Sequence, residues 1–133
     1  MIYKWVEKYI GIPFVSNGRT MEGCDCYGLI RLVLHNEYGV YLPELSDNYS
    51  DARNVQEIAR LFAENLPVFT ASKIPEPKEQ ALVVITERTC PCHVGIVAGG
   101  GYILHTGAKT GSVCQRETHP GLRGRIEGYY SVR

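Results

Sequence analysis

One cysteine and two histidines carry the chemistry that this sequence could perform. Cys26 lies in Cys24-Asp25-Cys26-Tyr27-Gly28-Leu29, where a loop runs into a segment with Leu29, Ile30, Val33 and Leu34 at helical spacing. Asp25 has the chemistry of an N-cap, because its side-chain oxygen can accept from the unpartnered N–H groups of a first turn. The pattern therefore predicts a helix over 26–38 with Cys26 as its first residue and Gly39 as its stop. A thiol at that position lies in the positive end of the helix dipole, which favours thiolate. The backbone N–H of Cys26 could also donate to an oxyanion.

A nucleophilic thiol needs a base, and the base needs a group that orients it. His93, in His93-Val94-Gly95-Ile96-Val97, and His105, in Tyr102-Ile103-Leu104-His105-Thr106, both lie in strand-like runs. A cysteine is more commonly a buried structural residue, and Cys24 is the rival nucleophile. Cys24 precedes the helix, however, and lacks the dipole position. Cys92 neighbours His93, and adjacent strand residues point to opposite faces. His35, on the helix, and His119, beside Pro120, receive no role.

These segments have to be positioned by a helix-first, sheet-second arrangement. Residues 2–10 read as a short helix with Ile2, Trp5, Val6 and Tyr9 on one face, ended by Gly11 and Pro13. Residues 15–23 form a loop, 47–51 a polar turn, and 52–65 a second helix with Val55, Ile58, Ala59 and Phe62 inward. The segment from Lys73 to Glu79 reads as a surface connection. Strands follow at 81–85, 93–98, 102–105, 112–115 and 126–132, separated by glycine turns. Helices followed by a strand meander predict an α+β fold, with N-terminal helices packed on a C-terminal antiparallel sheet.

The whole chain, 1–133, reads as a single domain with enough residues for one core. Charge sums to zero with no basic block, which argues against nucleic acid as a partner. Lys4, Glu7 and Lys8 interrupt any N-terminal signal, and no apolar run reaches membrane-span length, so the expectation is cytoplasmic synthesis and no membrane partner. The five cysteines, Cys24, Cys26, Cys90, Cys92 and Cys114, include two Cys-x-Cys pairs. Structural zinc sites prefer wider ligand spacing, so no metal and no cofactor are expected.

Taken together, the motifs resemble the NlpC/P60 family of papain-like cysteine peptidases. That family carries Asp-Cys-Ser-Gly followed by an apolar residue at a helix head, then His-Val-Gly-Ile/Val on one strand and a polar residue, often histidine, on the next. Here these read Asp25-Cys26-Tyr27-Gly28-Leu29, His93-Val94-Gly95-Ile96 and His105. Tyr9-Ile10-Gly11-Ile12-Pro13-Phe14 is similar to the family's Tyr-x-Gly-x-Pro-Tyr segment, and Gly128-Tyr129-Tyr130 to its closing strand. The departures are Tyr27 for serine, Phe14 for tyrosine and Gln80-Ala81 for Gly-Asp.

The resemblance implies a catalytic set of Cys26, His93 and His105. Phe14, Asp25 and Tyr27 are implied as substrate contacts. The implied reaction is hydrolysis of the bond between D-glutamate and a diamino acid in peptidoglycan stem peptides. Tyr27 and the Gly28-Leu29-Ile30-Arg31 continuation look more like the phage tail branch, which would make other tail proteins partners and the cell wall the place of action. Two alternatives stay open: a tail-tip module that keeps the fold with weak activity, and a cysteine amidase or acyltransferase acting on another amide.

Overall fold

The computed structural model describes residues 1–42, 70–87 and 90–132. The helix expected over 52–65 and the turn at 47–51 lie outside these residues.

Helix α1 spans Cys26–Tyr38, as its local signals predict. Gly39 closes it in the left-handed region at φ 66°, with its N–H returning to His35 and Leu34 carbonyls. The N-terminal segment forms a helix of the tighter 3-10 kind, Lys4–Tyr9, too short for several α-turns before Gly11. Trp5, Val6 and Tyr9 are buried as expected, whereas Ile2 precedes the helix and is exposed. This segment is tied to the end of α1 by side chains. Trp5 Nε1 donates to Tyr38 Oη at 2.7 Å, Tyr9 Oη donates to Glu37 at 2.7 Å, and Lys8 pairs with Glu37 at 2.8 Å.

Two short strands, β1 (Arg19–Thr20) and β2 (Gly23–Cys24), form a hairpin in the loop ahead of α1. The main sheet contains β3 (Thr70–Ile74), β4 (Leu82–Glu87), β5 (Cys90–Gly99), β6 (Tyr102–Gly107), β7 (Gly111–Arg116) and β8 (Ile126–Val132). Its order is β3-β8-β4-β5-β6-β7, and every neighbouring pair is antiparallel. β3 corrects the reading of 73–79 as connection throughout, because residues through Ile74 pair with β8. The β5–β6 hairpin turns through Gly99, Gly100 and Gly101 at φ 91°, 63° and 81°, conformations that side chains resist.

The sheet is apolar on both faces. On β4, Leu82 joins a cluster with α1, while Val83 and Ile85, with Ala81 just before the strand, join a second cluster with Val97, Ile103 and Leu122. The alternation is that of a strand buried on both sides. The first cluster matters most for function. It contains Cys26, Leu29, Ile30 and Val33 of α1 together with Val94 and Ile96 of β5 and Leu104 of β6. Apolar packing thus fixes the head of α1 against the two histidine-bearing strands. No described helix is long and apolar enough to cross a membrane.

Candidate active site

The loop that presents Cys26 is held by a buried charge. Asp25 is fully buried, with extended backbone at φ −95° and ψ −172°. Its Oδ1 accepts from Gly28 N at 2.8 Å, which is the N-cap bond, and from Arg19 Nη1 at 3.0 Å. Its Oδ2 accepts from Asn17 N at 2.9 Å. The Arg19 side chain is itself only 8% exposed and lies over the Tyr27 ring, 5.3 Å from its centroid. Gly28 lets this loop close down on α1, since a Cβ there would run into the Gly18 carbonyl. Val15 and Pro13 exchange backbone bonds with Cys24 at 3.1 and 3.0 Å, and Phe14 bridges to Cys24 in parallel.

The three residues expected as substrate contacts lie around this loop. Asp25 and Tyr27 are buried inside the loop, where they anchor Arg19 and cap α1; Phe14 is half-buried beside them. Arg19 was not visible as a functional residue in the sequence, because Asp25 already had a complete local explanation as a cap. Removing the carboxylate tests the arrangement. Asp25→Ala deletes the cap and leaves a buried guanidinium without its counter-charge. Breaking such a pair costs about 3–5 kcal/mol. Urea unfolding should show a loss of that size; a loss under about 1 kcal/mol, no more than a cap alone, would show that the Arg19 pairing contributes nothing.

Cys26 is at the first position of α1 and is 8% exposed. Cys24, two residues earlier, is fully buried. Burial, reinforced by the neighbouring Asp25 carboxylate and partly offset by Arg19, pushes the Cys24 thiol up to about 12. Burial and a raised pKa both disfavour the thiolate at Cys24, which counts against it as a nucleophile. Cys114 is half-buried and its thiol is also pushed up by burial. Cys24, Cys26 and Cys114 are all reduced.

The two histidines meet across β5 and β6. His93 Nε2 is 3.2 Å from His105 Nδ1, with the rings edge-on at 80°. The line continues onto β7, where His105 Nε2 is 2.8 Å from Gln115 Oε1. Gln115 pairs directly with Ile103, so it reaches His105 diagonally along the sheet. Burial, and then the facing His105 ring, pushes His93 down to about 3. His93 is thus a neutral imidazole at physiological pH, with a lone pair on one of its ring nitrogens.

Gly95 makes the approach of the two strands possible. A Cβ there would stand 2.7 Å from the Leu104 carbonyl oxygen and 3.1 Å from His105 Cβ. The obstacle is backbone, so it cannot swing aside. Gly95→Ala should force β5 and β6 apart, lengthen the His93–His105 contact and reduce turnover by about 10–10²-fold, as a misplacement near 1 Å can. A crystal structure of a folded Gly95→Ala chain with that contact unchanged would contradict this.

Among the described residues, no group of three or more His, Cys, Asp and Glu is arranged to hold a metal ion. Gln115 lay in a predicted strand without an assigned role. Its signal is a polar side chain near the centre of a strand, but its partner becomes visible only from the register.

Known structures share this architecture. The NlpC/P60 domain of the peptidoglycan hydrolase SagA superposes with a TM-score of 0.63 at 21% identity, over 96% of this chain and 92% of that one. The P60 domain of an antigen from M. avium subspecies paratuberculosis gives 0.60 at 16% identity, over 97% and 89%. The fold is thus the α+β fold of NlpC/P60 domains. A model of the NlpC/P60 family matches residues 11–125, and the chain belongs to that family. The gamma-DL-glutamyl hydrolase of Bacillus subtilis (strain 168) is 31% identical over 99 residues, which make up 74% of this chain and 21% of that protein.

Proposed function

We propose that the chain is a cysteine peptidase that hydrolyses the amide between D-glutamate and a diamino acid in peptidoglycan stem peptides. The observation that carries this reading is the His93–His105 pair at 3.2 Å, on strands packed in one cluster with the helix that begins at Cys26. Membership of the NlpC/P60 family supports it, as does the similarity to a peptidoglycan hydrolase domain and to a γ-glutamyl hydrolase.

In this mechanism His93 takes the thiol proton and Cys26 Sγ attacks the scissile carbonyl carbon. The new oxyanion accepts N–H groups from the first turn of α1. His93 gives its proton to the leaving amine as the C–N bond breaks, which leaves a thioester on Cys26. A water, deprotonated by His93, then releases the acid. His105 accepts from His93 Nε2 and so directs Nδ1 toward the thiol. A phage tail setting, with the cell wall as the place of action, is part of the proposal and rests on Tyr27 and Gly28-Leu29-Ile30-Arg31 alone.

One observation favours a second substrate: the Bacillus subtilis relative is named a gamma-DL-glutamyl hydrolase. Parallel digestion of purified muropeptides and of poly-γ-glutamate, read by mass spectrometry, separates the two. The proposal predicts stem peptides cut after D-glutamate, with a new amino terminus on the diamino acid. Shortened poly-γ-glutamate with intact stem peptides would select the second substrate.

A further inference from the structure

From the unbroken line His93–His105–Gln115 across three strands we infer that Gln115 is a positioning residue that fixes where the protons of both histidines lie. The inference deepens the peptidase reading above and rests on it for its use in turnover. Its statement about proton positions can be measured without turnover.

A neutral imidazole has one N–H and one lone-pair nitrogen, and a neighbour decides which is which. The Gln115 amide oxygen, 2.8 Å from His105 Nε2, can only accept. His105 therefore carries its proton on Nε2 and presents a lone pair at Nδ1. That lone pair lies 3.2 Å from His93 Nε2, so His93 carries its proton there and keeps a lone pair at Nδ1. Only that tautomer can take a proton from a thiol while still donating to His105. Removing the amide acceptor takes away this support for the Nε2–H tautomer, and in the other tautomer Nδ1–H would face His93 Nε2. His93 would then lose its orienting acceptor or be driven to the tautomer that cannot act as a base.

The fold supports the assignment. β7 has β6 as its one neighbour in the sheet order, and its pairing with β6 runs without a bulge from Gly107↔Gly111 to Tyr102↔Arg116. Gln115 is thus held by a regular ladder, and its reach to His105 is set by backbone register.

The test uses nitrogen-15 NMR of the histidine rings at pH 8.5, well above the ordinary imidazole range, alongside steady-state kinetics on the same samples. Wild type should show His105 protonated on Nε2. Gln115→Met, which keeps the length and removes the acceptor, should shift His105 toward a tautomer mixture. It should lower kcat about five- to tenfold, the size of one hydrogen bond, with KM unchanged because Gln115 stands two rings behind the thiol. Gln115→Glu restores an acceptor at the same reach and should restore the Nε2–H tautomer and most of kcat. The assignment is overturned if wild-type His105 carries its proton on Nδ1, or if folded Gln115→Met keeps the wild-type tautomer. Should the tautomers come out as assigned while no variant or wild-type chain hydrolyses any γ-glutamyl substrate, the peptidase reading fails and the proton assignment stands.

Discussion

A Cys26→Ala chain should fold normally and lose at least about 10⁴-fold in turnover, in line with the loss of a nucleophile from a triad that acts as a unit. The expectation separates Cys26 from the other thiols on physical grounds. Cys26 alone among the described cysteines lies at a helix N-terminus, where the dipole stabilises thiolate. Cys24 is fully buried, with its thiol pushed up to about 12, and Cys114 is pushed the same way. A thiol-specific electrophile at sub-stoichiometric dose should therefore mark Cys26 first, and Cys24→Ser should keep most of the activity. Peptide mapping that finds Cys24 or Cys114 marked first would overturn the assignment.

Replacing His93, the proposed base, should be as severe, and it carries a second signature in stability. His93→Gln removes the proton acceptor and should lower kcat by about 10⁴-fold or more. In the folded chain His93 stays neutral down to about 3, while its ordinary value in an unfolded chain is 6.5. Between these two values the unfolded chain binds a proton that the folded chain refuses, so acidification favours unfolding. The contribution of His93 is fully present above about pH 6.5 and is lost as pH falls toward 3. Urea midpoints at pH 7 and pH 4 should therefore lie further apart for wild type than for His93→Gln. Equal gaps would show that the histidine is not buried as a neutral ring.

What the sequence made legible was local. Asp25, the apolar spacing through Leu34 and Gly39 define α1 within a single stretch, so its bounds could be read directly. β4, β5 and β6 were legible because short apolar runs rich in Val, Ile and Leu are set off by turns, with the Gly99-Gly100-Gly101 turn between β5 and β6. β3 was not. Thr70-Ala71-Ser72-Lys73-Ile74 has little apolar alternation, and it is a strand because β8 pairs with it. The His93–His105 pair follows from two motifs flanking one hairpin. Arg19 and Gln115 follow from nothing local. Arg19 becomes meaningful only when the β1–β2 hairpin folds it onto Asp25, and Gln115 only through a diagonal across β6 and β7. Asp25 and Tyr27 are buried around α1's first turn, which the sequence pattern beside Cys26 did not reveal for Tyr27.

The most direct test is to trap the covalent intermediate. A peptide carrying L-alanyl-γ-D-glutamyl-diamino acid would be mixed with the purified chain, quenched in acid within the first turnover, digested and mapped by mass spectrometry. The account predicts a thioester of L-alanyl-γ-D-glutamate on the peptide that contains Cys26, absent from Cys26→Ala and accumulating only while substrate is consumed. Turnover of the same peptide with no adduct on Cys26, or with Cys26→Ala as fast as wild type, would contradict it.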